Sequence, residues 1–345
     1  MPRTKIIATL GPESSNLTTI RQMMLAGLDV ARLNFSHGSL SEHLNRLNII
    51  RQLSKKYRRH IRVLQDLEGY RIRIGSLKEP IELKKKQTIY LTTEDIIGDK
   101  DIIPLDYTGS LDIIRKNQPI FIDDGNISLV VLKRKKRQLK ARVEIPGLLV
   151  ERKGINMPGV NFKFQGVTPK DRRDLYFAIK HKVDFIAQSF VRSKADVLGI
   201  KALVASKLPS CRIIAKIENR QGIRNIDEII EVSDGIMIAR GDMGVSVPIY
   251  EIPFIQKEII KKCNQGKKIV ITATQMLESM VKNLRPARSE VTDIANAILD
   301  GSDYLMLSAE TATGEHPVEA VRMMNSITKF TENTLLYKQL RGNRA

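Results

Sequence analysis

Lys216 and Glu218 stand two residues apart in Arg212-Ile-Ile-Ala-Lys-Ile-Glu218, a run otherwise β-branched and apolar. That composition suits a buried parallel strand. Strand side chains alternate with a period of two, so the ammonium and the carboxylate face the same side. Burying the two without a partner or a task is costly. One task that fits is for Glu218 to hold a divalent metal while Lys216 faces the same anionic substrate. The plain alternative is an internal ion pair at a strand end.

Further polar groups cluster at the ends of other apolar runs: Arg32, Asn34, Ser36 and His37, then Asp66, then Asp242 within Arg240-Gly-Asp-Met-Gly244, then Thr272 and Thr274, then Ser308 and Glu310. Glu218 and Asp242 make a two-carboxylate Mg²⁺ site of the kind that leaves positions open for substrate oxygens. Arg32 and Lys216 suit a phosphoryl group. The glycines beside Asp242 let backbone N–H groups approach a carboxylate. The substrate class implied is an anionic phosphorylated acid, and phosphoryl transfer needs positioning and charge stabilisation more than covalent help. No P-loop and no protein-kinase Gly-rich loop is present. His43, His60, His181 and His316 stand alone and read as structural or surface groups.

The elements that must position these residues follow a βα rhythm. Strands are expected at Lys5–Gly11, Asp29–Ser36 and Ile61–Asp66, with helices between. From Ile74 to Gln165 the helical period vanishes. Short alternating runs replace it (Gln87–Leu91, Pro119–Ile122, Asn126–Leu132, Lys140–Val143), separated by Asp-Gly and Pro-Gly turns. The rhythm resumes at Thr168, with strands expected at Asp184–Ser189, at the Lys216 run, and at Gly235–Ala239, Lys268–Thr274 and Asp303–Ser308. Eight βα units predict an α/β fold, a (β/α)8 TIM barrel, with a small all-β lid domain inserted after the third strand on the active-site side. The expected division is residues 1–73 for the first part of the barrel, 74–165 for the lid and 166–345 for the second part.

The chain has 345 residues and a formal charge of +19. Its densest basic runs, Lys84–Lys86 and Lys133–Arg137, have no interleaved aromatics and read as a solvated hairpin, so nucleic acid is not expected as a partner. Cys211 and Cys263 lack metal or redox spacing, which points to a reducing compartment. No apolar run reaches membrane-spanning length and no targeting segment is visible, so a cytoplasmic protein is expected.

Long motifs carry a resemblance to the pyruvate kinase family over residues 3–325. They are Thr4-Lys-Ile-Ile-Ala-Thr-Leu-Gly-Pro12, Val30-Ala-Arg-Leu-Asn-Phe-Ser-His-Gly38, Phe121-Ile-Asp-Asp-Gly125, Ile213-Ile-Ala-Lys-Ile-Glu-Asn219, Ala239-Arg-Gly-Asp-Met-Gly244, Ala273-Thr-Gln-Met-Leu-Glu-Ser-Met280, Arg285-Pro286, Glu290-Val-Thr-Asp-Ile-Ala-Asn296 and Met306-Leu-Ser-Ala-Glu-Thr311. The resemblance implies transfer of phosphate from phosphoenolpyruvate to ADP, giving pyruvate and ATP in glycolysis. It implies Mg²⁺, with Mn²⁺ as an alternative, on Glu218 and Asp242. It gives Lys216 to the phosphoryl group and the enolate, Arg32 to the transferring phosphate, Thr274 to protonation of the enolate carbon, and the Gly241 and Asp242 N–H groups to the substrate carboxylate. Asn34, His37, Arg73 and Lys170 approach the nucleotide phosphates, with a second Mg²⁺ entering with ADP.

Two departures from the family pattern shape the expectation. Asn34, Ser36 and Asp66 match a monovalent-cation site, but Leu67 replaces its Thr, Glu68 a common Lys, and Arg71 its glutamate. A guanidinium can supply the charge of the ion, so Arg71 is expected to substitute for it and K⁺ not to be required. The chain also ends one helix after the barrel, with no C-terminal effector domain expected and a homodimer through the barrel favoured over the family's tetramer. Two other readings stay open: a degenerate homologue binding phosphoenolpyruvate or nucleic acid as a regulator, and a Mg²⁺-dependent aldolase or lyase acting on pyruvate.

Overall fold

The structure, a computed structural model, describes residues 2–107, 109–160, 162 and 167–342. Its contacts divide the chain into two units. One comprises Met1–Gly69, Val167–Arg240 and Pro253–Ala345, and the other Tyr70–Gly166 with Gly241–Ile252.

The first unit is a closed barrel of parallel strands. In chain order these are β1 (Lys5–Thr9), β2 (Val30–Asn34), β3 (Arg62–Asp66), β12 (Phe185–Gln188), β13 (Arg212–Ile217), β14 (Gly235–Ala239), β15 (Ile269–Ala273) and β16 (Tyr304–Leu307), with β4–β11 belonging to the second unit. Neighbours follow chain order, and β1 pairs with both β2 and β16 to close the ring. Helices alternate with the strands, which makes this the expected (β/α)8 barrel. Helix starts follow local capping chemistry: Asn16, Ser39 and Thr168 each accept a backbone N–H from the first turn of the helix they precede.

The interior is layered by the period of two. Ile7, Leu64, Ile214 and Ile271 from β1, β3, β13 and β15 meet Val30, Phe185, Met237 and Met306 in one apolar cluster. On the same strands the residues two earlier are Lys5, Arg62, Arg212 and Ile269, and those two later are Thr9, Asp66, Lys216 and Ala273. The middle of the barrel is therefore apolar and both ends are polar. At the entry end a second pattern recurs. Asp29, Asp184, Asp234 and Asp303, each just before its strand, accept the N–H of Ile6, Val63, Ile213 and Val270 at 3.0, 2.8, 2.7 and 2.9 Å. Strands are clasped in pairs this way: β1 to β2, β3 to β12, β13 to β14, β15 to β16.

The second unit has its own core around Leu91, Ile103, Leu129, Val131, Ala141 and Val143. Strands β4 (Ile81–Leu83), β5 (Thr88–Thr92), β6 (Ile102–Pro104), β7 (Pro119–Ile122), β8 (Ile127–Lys135), β9 (Gln138–Ile145), β10 (Gly147–Leu149) and β11 (Ile155–Asn156) form a six-stranded sheet, β11-β7-β8-β9-β5-β6, and a pair, β10-β4. The four strands not foreseen in the sequence have only two or three residues, too few for an alternating pattern. The Lys133–Arg137 run is exposed where the β8–β9 hairpin turns. The expected end of the insertion, Gln165, and the last three residues of the chain lie outside the described residues. Among the described residues, no helix is long and apolar enough to cross a membrane.

Candidate active site

The exit end of the barrel gathers the charged groups. Lys216, on β13, is 9% exposed and its ammonium lies between two carboxylates, 3.0 Å from Asp66 Oδ1 and 3.2 Å from Glu218 Oε1. It also donates to Ser189 Oγ at 2.7 Å, and Ser189 in turn donates to the Leu67 carbonyl. Burial works against the charge on Lys216, but Asp66 and Glu218 outweigh it and hold its pKa above the ordinary lysine value. Burial likewise works to raise the Asp66 pKa; Lys216 and Arg32 overcome it and hold it below the ordinary value. Lys216 and Asp66 are therefore both charged at neutral pH. Their contribution to stability persists down to the ordinary Asp range and is lost only as pH falls through the depressed Asp66 pKa.

Arg32, on β2, completes the cluster. Its Nε donates to Asp66 Oδ2 at 2.7 Å and its Nη1 to Thr9 Oγ1 at 2.8 Å. Thr9 Oγ1 in turn donates to the Leu307 carbonyl at 2.8 Å. The Nη2 group has no protein partner among the described residues, so one edge of a rigidly held guanidinium is available. Glu218 is 2% exposed, and its Oε2 accepts the Phe190 N–H at 2.6 Å. Phe190 has φ +56°, a left-handed conformation that aims this N–H at the carboxylate.

Beside the cluster lies the strip that departs from the family pattern. Asn34 Oδ1 accepts the Ser36 N–H at 3.2 Å, and the Asp66 carbonyl accepts the Phe35 N–H. Lys170 donates to the Phe35 carbonyl and to Asp174, and it pairs with Glu68 at 3.5 Å. The acidic residue at position 68 is thus balanced by Lys170. His37 is exposed, and its carbonyl lies 3.0 Å from Nε2 of buried His43, which stacks on Phe35. Burial, then the charge of Arg46, drives the His43 pKa down to about 4, so this ring is neutral at pH 7.

Thr274 follows β15 with φ +69°, an outlier for a β-branched residue. Its hydroxyl donates to the Ala273 carbonyl at 2.6 Å. Arg240 holds the turn: its Nη2 donates to the Thr274 carbonyl at 2.7 Å, and Asp293 takes its Nη1 at 2.7 and 2.9 Å. Neither Arg240 nor Asp293 is assigned a role in the sequence reading. Both lie inside its quoted motifs, and a charged residue directly after a strand is the signal that points to Arg240.

Within the second unit, Arg71 Nη2 lies 3.2 Å from Asp242 Oδ1. Asp242 Oδ2 has no protein partner among the described residues. Gly154 makes room for the guanidinium, because a Cβ there would overlap the Arg71 side chain. Arg73 donates to the Arg152 carbonyl at 2.9 Å. Gly241 opens this part of the unit at the start of helix Arg240–Ser246, with Asp242 in its first turn.

The donor set suits a hard cation that keeps most of its water. Such an ion takes one or two carboxylates plus substrate oxygens rather than a closed protein cage. Among the described residues no cluster of three or more His, Cys, Asp or Glu side chains has metal-binding spacing. Glu218 in the first unit and Asp242 in the second each carry a carboxylate, the donor type such an ion takes.

The sequence profile described as "Pyruvate kinase, barrel domain" matches residues 1–321. The chain is 46% identical over 344 residues to the pyruvate kinase of Thermococcus litoralis, covering 99% of this chain and 72% of that protein. It is 45% identical to the pyruvate kinase of Bacillus licheniformis, covering 100% of this chain and 60% of that one. The pyruvate kinase of Geobacillus stearothermophilus is also 45% identical, with 59% of its length covered.

Proposed function

The chain belongs to the pyruvate kinase family, and from that premise we propose that it moves the phosphoryl group of phosphoenolpyruvate to ADP, yielding pyruvate and ATP. The observation that carries the reading is Lys216, a buried ammonium kept charged by Asp66 and Glu218 at the exit end of a parallel barrel.

In the first step the bond between phosphorus and the enol oxygen breaks and a bond to an ADP phosphate oxygen forms, leaving an enolate. Lys216 holds a fixed positive charge where that enolate oxygen develops, so it favours the transition state over the ground state. Arg32 offers its free Nη2 edge to the phosphoryl oxygens, while Asp66 and Thr9 fix its orientation. In the second step the enolate carbon takes a proton. Thr274 holds a hydroxyl on that route, at a turn strained by about 1–3 kcal/mol and kept in place by Arg240. Glu218 and Asp242 are the residues assigned to Mg²⁺, with Mn²⁺ as an alternative; when bound, the ion offsets charge on substrate oxygens. The Gly241 and Asp242 N–H groups are assigned to the substrate carboxylate, and Asn34, His37, Arg73 and Lys170 to the nucleotide phosphates.

Arg71 supports activity without K⁺, since it brings a guanidinium where the family pattern has a glutamate. A homodimer through the barrel, and a cytoplasmic setting in keeping with the two buried, unpaired cysteines, complete the reading. Sedimentation velocity tests the dimer.

The deciding assay is pyruvate release from phosphoenolpyruvate and ADP with Mg²⁺ and without K⁺, beside a Lys216→Met control. Turnover in the wild type and near loss in the control support both the kinase and the Arg71 reading. Recovery only with K⁺ keeps the kinase and removes the Arg71 reading. Silence in both salts removes the kinase.

A further inference from the structure

The entry end of the barrel holds a second set of cations that the proposed reaction does not use. Lys5, Arg62 and Arg212 open β1, β3 and β13, two residues before Ile7, Leu64 and Ile214 of the interior cluster. The period of two therefore turns all three toward the barrel axis. With Arg3, Lys267, Lys268, Asn264, Ile269, Asp303 and Tyr304 they line a pocket of about 380 Å³. Six cations share it with one carboxylate, and among the described residues none of the six forms an ion pair. Asp303 is already committed, since its Oδ2 accepts the Val270 N–H.

The pocket is built rather than a loose lysine patch. Arg62 donates from Nη1 to the hydroxyl of buried Tyr304 at 3.2 Å and lies 6.0 Å from the centre of the Phe185 ring. Lys268 is pinned by the carbonyls of Glu231 and Ser233, and Lys5 by that of Pro2. These ammonium groups are anchored as fixed charges. The two guanidinium groups present planar forks, the geometry that matches a phosphate bidentately.

We propose that this pocket is a binding site for a compact anion carrying two phosphate groups, one for each of Arg62 and Arg212, with Lys5, Lys267 and Lys268 supplying the remaining charge. Converging like charges raise the local potential, and an anion of this class relieves it. Its size is in the lower part of the range of small-molecule sites. Four residue steps separate Lys5 from Thr9 and Arg212 from Lys216, about 13 Å along the strands. A ligand seated at the entry end therefore does not touch the exit-end cluster.

The test is calorimetric titration of the intact protein with pyrophosphate, without Mg²⁺ and at low salt. The variants are Arg62→Gln, Arg212→Gln, Arg32→Gln at the exit end, and Lys135→Gln on the β8–β9 hairpin. We expect each entry-end variant to weaken binding at least about tenfold, and Lys135→Gln to bind as the wild type does. Loss only in Arg32→Gln would place the anion at the exit end and overturn the proposal. Equal loss in Lys135→Gln would show unspecific attraction to a basic protein and overturn it too, as would a wild type that does not bind. Thermal melts show that each variant is folded. They also give a second readout, because pyrophosphate should raise the midpoint of the wild type and of Lys135→Gln more than that of the entry-end variants.

Discussion

Lys216 and Arg32 at the exit end of the barrel lie 3.0 and 2.7 Å from Asp66, whereas Arg62 and Arg212 at the entry end have no carboxylate partner among the described residues. The same strands, β3 and β13, supply both ends. At the exit end the charges are buried, so each needs its opposite and all are held in one arrangement. At the entry end they are exposed and screened, so no internal partner is required. Burial thus decides whether a charge is wired into the protein or left to meet something from outside. The exit end is preorganised at the risk of large losses when any member is removed.

The comparison can be broken first at its strongest point. Lys216→Met strips Asp66 and Glu218 of their shared cation, and we expect a stability loss of about 3–5 kcal/mol in chemical denaturation, with turnover falling about 10²–10³-fold. A variant as stable as the wild type would mean that the exit cluster is no more tightly coupled than the entry one.

A second test uses acid. His43, beside the exit cluster, is neutral when folded, with a pKa lowered from 6.5 to about 4. Unfolding lets it take a proton that the folded state refuses. Its contribution is therefore complete above about pH 6.5, declines as pH falls, and is gone below about pH 4. The decline amounts to about 3 kcal/mol. Arg46 and Lys170 oppose the proton and Glu42 favours it. His43→Leu should remove this slope, read as the difference between the two stability profiles.

A third test addresses the guanidinium of the second unit. Arg71→Glu restores the family's usual residue, and we expect turnover without K⁺ to fall about tenfold and to return with K⁺. The smallest effect is expected at the entry end. Arg212→Gln should change stability by no more than about 0.5 kcal/mol, slightly upward at low salt, with the change vanishing as salt rises.

The chemistry-bearing residues were legible because they break a local rule. A lysine and a glutamate in an apolar strand announce themselves, and counting βα units was enough to expect the barrel. What stayed hidden depends on register between strands. Thr9 matters because β1 lies beside β2 and brings its hydroxyl to Arg32, and a single strand does not reveal its neighbours. Arg62 and Arg212 each stand alone among apolar neighbours in the sequence, where the dense run Lys133–Arg137, exposed at a hairpin, dominates the charge pattern. Scattered in sequence, the entry-end cations converge only when the barrel closes. Gly154 was invisible for a different reason: its role is the space it leaves for Arg71.

The four aspartate clasps at the entry end bear on the order in which the barrel assembles. Three of them join residues 23, 21 and 33 positions apart, but the clasp from Val63 to Asp184 spans 121. Closing the longer loop costs about 1.5 kcal/mol more chain entropy than closing the shortest ones. Among the four clasps, the one between β3 and β12 should therefore form last on refolding and be the first whose amide exchanges with solvent. Folding of the inserted sheet ahead of the barrel would shorten that loop, so a destabilised β8–β9 hairpin should slow barrel closure while leaving the other three seams at their own pace.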